Sequence, residues 1–343
     1  MIRTLRLKNF RGIKEGEISF EPLTILLGPN NAGKTTILEA LFLAPNPLRP
    51  TPYLIPYNQA IVIVNSLHET LDSKGFASLL YNYSSDNAKI ECEIDGNTQS
   101  LNLARFRDQI YLTSDKARNI YNIATDREPI RFFASLDASS ENINQQSDIT
   151  PFFENTLLIS QNLIKAGYNY LRNNWASIIN LGICKKVAEE ASNFSFDKYK
   201  DITIEPFLGR QLTINAYFED GRRIRLGDLG EGIQSYIITK ILFEIEKPKV
   251  LLWDDIEAHL NPRILLDVGT WFSKLIEEGK QVICTTHSLE AVRTLAGLNE
   301  EKVEIVLTFL EDGILKTRKL SLVELEDFIK AGIDVRVAEK FLI

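Results

Sequence analysis

The sequence predicts an α/β fold in which a mostly parallel central sheet is joined to an antiparallel N-terminal β subdomain and interrupted by a helical insertion. Three observations lead to this class. From Glu231 onward, helical and strand periodicities alternate, the pattern of a parallel sheet covered on both faces. Lys89 to Ile94 and Gln99 to Leu103 alternate around an Asp95-Gly96 turn, which reads as a hairpin. Pro151 to about Asn193 carries helical spacing, with Leu157, Leu163, Leu171, Trp175 and Ile178 on the apolar face.

Taken in order, Ile2 to Lys8 alternates as a strand, Gly16 to Phe20 follows the Arg11-Gly12 turn, and Leu23 to Leu27 is a continuous apolar run of the kind found in a central strand. A glycine-bearing turn follows, then Lys34 to Leu43, where Ile37, Leu38, Leu41 and Phe42 fall at helical spacing. Pro45, Pro47, Pro50, Pro52 and Pro56 mark a connection. Asp137 to Asp148 is polar and rich in Ser, Asn and Gln, a loop or hinge composition. Ile202 to Ile204, Leu212 to Phe218 and Arg222 to Leu226 return to strand periodicity, the last two joined across Asp220-Gly221. Helices are expected at Glu231 to Glu246 and Ile264 to Glu278, and strands at Val250 to Trp253, Val282 to Thr285 and Val303 to Phe309. This divides the 343 residues into an N-terminal lobe (1–136), a polar loop with a helical insertion (137–200) and a C-terminal lobe (201–343), together one composite domain.

Composition narrows the functional classes. With 44% hydrophobic and 25% charged residues the chain has the material for a sizeable core. No apolar run is long enough to span a bilayer, and the N-terminus does not read as a signal peptide, so no membrane association and a cytoplasmic location are expected. Cys92, Cys184 and Cys284 are too far apart for a zinc site or a disulfide framework and read as buried thiols. A net charge of −7 repels polyanions, so DNA, if bound, must meet a local basic patch. Arg222, Arg223 and Arg225 form the densest one, with Arg105, Arg107, Arg118, Arg127 and Arg131 upstream. Solvated strand edges and surface ion pairs explain both groups equally well.

Three motifs carry chemistry. Gly28-Pro29-Asn30-Asn31-Ala32-Gly33-Lys34-Thr35, followed by Thr36, has the spacing of a phosphate loop, whose backbone amides and helix N-terminus surround phosphates. Lys34 is expected to reach the β- and γ-phosphates of ATP, and the Thr35 hydroxyl to hold Mg²⁺. Second, the apolar strand Val250 to Trp253 ends in Asp254 and Asp255, as the Walker B strand does. Asp254 is the candidate metal ligand and Asp255 the candidate base for the attacking water, although acids here also suit the start of the next helix. Third, Val282 to Thr286 delivers His287 to the same sheet edge, where it could bond the γ-phosphate or the water. A single histidine in such a place can equally be structural.

The segments NFRG, GPNNAGKTT, DDIEAHLNP and TTHS, in this order and spacing, resemble the ABC-type heads of the RecF, SMC and OLD ATPases. That resemblance implies a P-loop NTPase of the SMC-head type with a signature motif, here Gly230-Glu231-Gly232 at a helix start, closing over ATP held by a second copy. Homodimerisation on ATP binding follows from it. Arg11 matches a position where related heads place a basic residue near the nucleotide. Asp255 stands where the family usually has a glutamate, Ile256 replaces the usual proline, and no glutamine is assigned to the family's Q-loop, although Gln145 and Gln146 lie in a segment of mobile-loop composition. The tail, Leu325 to Val337, looks like the end of stand-alone OLD-related ATPases, several of which act beside a nuclease or other effector in phage defence. The implied function is an ATP-hydrolysing dimerisation switch in DNA repair or antiviral defence with a separate effector. The alternative is a nucleotide-binding scaffold that hydrolyses little. A transporter ATPase is disfavoured by the NFRG start, and GTP by the lack of an NKxD motif.

Overall fold

A computed structural model of the protein describes residues 1–53, 59–71, 75–107, 109–114, 118–122, 155–193, 195, 197–209, 211–299 and 301–342. The expected class is the one observed. Three N-terminal strands, β1 (Ile2–Phe10), β2 (Ile13–Ser19) and β3 (Leu23–Leu27), lead into helix α1 (Lys34–Leu43). After the short helix α2 (Ala60–Ser66) come β4 (Asn87–Ile94), β5 (Asn97–Phe106), β6 (Gln109–Ser114) and β7 (Arg118–Asn122), an antiparallel run that continues the expected hairpin. Next are β8 (Thr156–Ile159), the long helix α3 (Gln161–Asn180) and α4 (Ile183–Ala191).

The C-terminal part begins with β9 (Tyr199–Pro206), β10 (Leu212–Phe218) and β11 (Arg223–Arg225), which form a separate antiparallel sheet. Helix α5 (Glu231–Glu246) precedes β12 (Val250–Trp253), α6 (Pro262–Glu277), β13 (Gln281–Thr286), α7 (Leu289–Gly297), β14 (Val303–Glu311) and β15 (Ile314–Leu320). Two helices, α8 (Leu322–Lys330) and α9 (Val335–Leu342), finish the described chain. Among the described residues the main sheet has twelve strands in the order β7-β6-β5-β4-β1-β2-β15-β14-β3-β13-β12-β8.

The five strands from β14 to β8 run parallel, and every residue of β3, β12 and β13 is buried. Burial on both faces explains why these segments read as apolar runs and not as alternating ones. β1, by contrast, alternates because one face meets solvent. α6 is capped by Asn261, whose side chain accepts from the Ile264 amide, and begins with Pro262, where a missing N–H costs nothing. No helix among the described residues is long and apolar enough to cross a membrane.

One expectation is corrected here, and one pair of open readings is decided. The helical reading of Pro151 to Asn193 is wrong at Thr156–Ile159, which is β8, paired in parallel register with β12. A four-residue apolar run looks the same in a buried strand and in a buried helix turn, so periodicity could not separate them. The remainder splits at Leu181-Gly182, where Gly182 takes φ 68° between α3 and α4. The basic run on β11 is the second case. Arg222 pairs with Asp220 and Asp197, Arg223 with Glu205 and Arg225 with Asp228, so each faces a carboxylate. The surface-ion-pair reading holds there, and Arg127 and Arg131 lie outside the described residues.

Leu158 in β8 is 2% exposed, whereas Leu181 at the α3–α4 turn is 69% exposed. Leu158→Ala is expected to lower unfolding free energy by about 2–5 kcal/mol, as for other buried leucines. Leu181→Ala should stay within about 0.5 kcal/mol. Urea or thermal melts of the two variants check the assignment of β8 to the sheet.

Candidate active site

The C-terminal ends of β3, β13 and β12 form one row because their register is parallel and unbroken: Leu27 lies opposite Thr286, and Cys284 opposite Trp253. Each strand hands its next residues to the same edge. After β3 the loop passes Gly28, packed on Thr308, then Asn30 and Asn31, both exposed, and buried Ala32. Gly33 at φ 83° starts α1, a backbone state that glycine adopts without strain. No side chain caps this helix N-terminus, so its amides are free to meet an anion.

Lys34 is buried, and its Nζ donates to the carbonyls of Gly28 and Pro29, both at 2.8 Å. Burial pulls its pKa down to about 8, against the opposing fields of Asp255, Asp254 and Glu257. Asp254 sits across from it. One Asp254 oxygen accepts from the Thr285 hydroxyl at 2.8 Å, and the Thr35 hydroxyl lies 3.1 Å from both oxygens. Burial raises the Asp254 carboxyl to about 6, helped by the charge of Asp255 and opposed by the two hydroxyl bonds. A carboxylate and a hydroxyl facing each other in a desolvated pocket suit a hard divalent cation such as Mg²⁺. The raised pKa fits that role, since a cation restores the ionised form. The buried ammonium of Lys34 likewise fits a phosphate, which supplies the charge that burial removed.

Asp255 takes φ 47°, and its amide donates to the Thr285 hydroxyl at 2.8 Å, which turns its carboxylate away from the sheet. Its Oδ1 lies 3.5 Å from Nε2 of His287, and Nδ1 of the same ring lies 3.4 Å from Lys34 Nζ. The structure therefore brings Lys34, Thr35, Asp254, Asp255 and His287 into one cluster. A cavity of about 300 Å³ beside it is lined by Thr35, Asp254, Asp255, Glu39, His68 and Gln161, among others.

Gln161 was not singled out from the sequence. It is the first residue of α3, two beyond β8, and its side chain donates weakly to the Ala258 carbonyl at 3.4 Å. A glutamine just past a strand that neighbours the Walker B strand is a findable signal, but only once β8 is known to be a strand. Gln145 and Gln146 lie outside the described residues.

Arg11 and the signature residues stand apart from this cluster. The Arg11 guanidinium is buried against Glu39 at 2.7 Å and donates to the Val64 carbonyl at 2.9 Å. It still borders a larger cavity of about 680 Å³ with Asn31 and Thr36. Gly230 and Glu231 are exposed at the start of α5, whose N-terminus carries no side-chain cap. Gly232 packs on the loop after β12: a Cβ there would lie 2.3 Å from the His259 carbonyl oxygen. Glu231 pairs with His259 at 2.8 Å.

The chain is similar to known proteins over most of its length. Residues 23–293 match a family model described as "AAA domain, putative AbiEii toxin, Type IV TA system". An ATP/GTP phosphatase of Helicobacter pylori is 24% identical, over 88% of this chain and 89% of its own length. An OLD nuclease of Thermus scotoductus is 49% identical over 41 residues, which are 12% of this chain and 8% of that protein. Two solved Smc heads share the fold at a TM-score of 0.55. One, bound to the C-winged helix domain of ScpA, is 18% identical and aligns over 96% of this chain and 99% of its own. The other, bound to the C-terminal domain of ScpA derived from Pyrococcus furiosus, is 14% identical over 96% of this chain and 98% of its own.

The Asp254 carboxyl has an ordinary pKa of 3.8 and a folded value of about 6, so between those values the folded state binds its proton more tightly than the unfolded chain. Stability without metal therefore falls as pH rises through that window. In a chelating buffer, Asp254→Asn is expected to melt above wild type at pH 8, by up to about 3 kcal/mol, and to converge with it near pH 4. Added Mg²⁺ should raise wild type at pH 8 and leave the variant unmoved. Melting curves across this range check both expectations.

Proposed function

We propose that this chain, which belongs to the AAA domain family matched over residues 23–293 and is an ATPase of the RecF, SMC and OLD type, acts as a dimerisation switch driven by ATP. The observation that carries the reading is the open start of α5. Gly230 and Glu231 are exposed and uncapped, tied through Gly232 and His259 to the loop that follows Asp254 and Asp255. An exposed helix N-terminus is an anion site in search of a phosphate, and the one that fits is the γ-phosphate held by a second copy.

In this reading the backbone from Gly28 to Thr36 and the Lys34 ammonium hold the β- and γ-phosphates, with Arg11, Asn30, Asn31 and Ala32 on the nucleotide side. Thr35 and Asp254 would hold Mg²⁺, which neutralises phosphate charge when bound. Asp255 accepts the proton of a water whose oxygen attacks the γ-phosphorus. The bond to the β–γ bridging oxygen breaks, and ADP and phosphate leave. His287 donates to the γ-phosphate, and Gln161 orients the water from the β8 side. Asp255 is one methylene shorter than glutamate, which sets its carboxylate back and slows the step. Release of phosphate removes the anion that α5 of the other copy grips, so the two copies part.

We place this switch in the cytoplasm, in DNA repair or antiviral defence beside a separate effector. The 41-residue likeness to an OLD nuclease and the ScpA-bound Smc heads support a partner-dependent role. DNA, where it is met, is proposed to lie at the end of β5, where Arg105 and Arg107 flank the exposed Phe106.

ATP turnover and light scattering, with and without Mg²⁺, test the switch. Lys34→Ala and Asp255→Asn should each lose on the order of a hundredfold in turnover. Asp255→Asn should keep an ATP-dependent dimer that Lys34→Ala lacks. A wild-type dimer with ATP but no turnover would turn the reading into the scaffold alternative, and a monomer under all conditions would sink it.

A further inference from the structure

His287 projects its ring between Lys34 and Asp255, one residue past the end of β13. Two side chains hold its backbone from outside that strand. Its amide N–H donates to Glu257 Oε1 at 2.6 Å, and its carbonyl accepts from Arg336 Nη1 at 2.6 Å. Glu257 belongs to the loop after β12, and Arg336 to α9, forty-nine residues further along the chain. We propose that Glu257 and Arg336 are positioning residues that clamp the two peptide groups flanking His287, so that α9 helps to set where the His287 ring stands in the site.

The arginine is built for one bond. Its Nε and Nη2 donate to the two oxygens of Asp334, at 2.8 and 2.6 Å, and its own amide donates to Asp334 as well. This fork fixes the guanidinium plane and leaves Nη1 aimed at His287. Both Arg336 and Asp334 are about a third exposed, so the pair adds little to folding stability. Its value lies in direction. On the other side, Glu257 has a second oxygen, Oε2, that is buried with no partner among the described residues. A carboxylate with one buried, idle oxygen is costly, and besides its field on Lys34 the hydrogen bond it makes is the one to His287.

Holding the two peptide groups that flank the His287 Cα fixes the point from which its ring projects. A shift of about 1 Å at a reacting group costs on the order of a hundredfold in rate. The arrangement also links α9 to the site, so whatever moves that helix moves His287.

The proposal rests on the reading that His287 serves ATP hydrolysis, and two measurements keep the claims separable. First, kcat and KM for ATP are compared for Arg336→Met, Glu257→Ala and Glu257→Gln, each in wild-type and His287→Ala backgrounds. Arg336→Met and Glu257→Ala should lose at least about tenfold in kcat with KM nearly unchanged, and Glu257→Gln, which keeps an acceptor, should recover most of it. In the His287→Ala background these losses should vanish, because the residues act through His287. Lys340→Gln, elsewhere on α9, should be silent. Losses that persist without His287, or that appear in KM and melting temperature together, overturn the proposal.

Second, the chain has three histidines, so ring NMR signals are few and His287 is assigned by its loss in His287→Ala. Arg336→Met should shift or broaden that signal and spare those of His68 and His259. An unchanged His287 signal overturns the clamp even if wild type proves inactive, whereas a moved signal in an inactive protein supports the clamp and refutes the hydrolysis reading alone.

Discussion

The site depends on one constraint, the shared parallel register of β3, β13 and β12. Because all three are buried on both faces, a slip of one residue would turn apolar side chains out of one layer and into another. The register is also pinned by a polar group. Gln281, fully buried at the start of β13, accepts from the Ile2 amide and donates to the carbonyls of Ile2 and Glu21. An amide satisfied at this depth ties the antiparallel edge to the parallel centre, and losing one partner would strand the rest. With register fixed, the phosphate loop, the paired aspartates and His287 must emerge side by side.

What emerges there is electrostatically unfinished. Lys34 is a buried cation whose direct partners are two carbonyls and the His287 ring, and Asp254 a largely desolvated anion whose direct partners are hydroxyls. Burial penalises the charged form of each and moves their pKa values in opposite directions, towards the neutral forms. Left alone, both groups work against stability. A phosphate beside one and a divalent cation beside the other would relieve both, so binding energy is stored in the folding of the free protein. Oppositely shifted groups of this kind, side by side at a sheet edge, are what marks a candidate ligand site.

How much of this was legible in the sequence depended on the range of the interaction. The strand-loop-helix around Gly28 to Thr36 and the apolar strands ending at Asp254 and His287 are local patterns, and they appeared where expected. β8 was missed because Thr156–Ile159 is buried throughout, reads as an apolar run from Leu157 to Ile159, and sits directly before a true helix. Gln161 was missed with it, since a glutamine at a helix start means nothing until its strand is known to flank β12. Arg11 could be seen as a basic turn residue, but its partner Glu39 lies a full motif away on α1. The arginines of β11 could not be weighed from spacing alone, because their acids are dispersed from Asp197 to Asp228. Glu257 and Arg336 meet His287 only through tertiary packing, which no local period encodes.

The loop from Asp254 to Asn261 is where these threads join. At its start, Thr285 holds both Asp254 and the Asp255 amide, and Ile256 donates back to the Thr285 carbonyl. At its end, His259 lies against Gly232, so close that any side chain there would meet its carbonyl oxygen, and Asn261 caps α6. The loop is thus fixed to the sheet at one end and to the start of α5 at the other. A change in charge at Asp254 or Asp255 cannot stay local in such a segment, because the packed elements at its two ends leave it few ways to relax. In the proposed switch the same few residues would face the cation, the attacking water and the exposed helix end. If the proposed switch operates, that shared backbone is the route open to it between the cleft and the exposed start of α5.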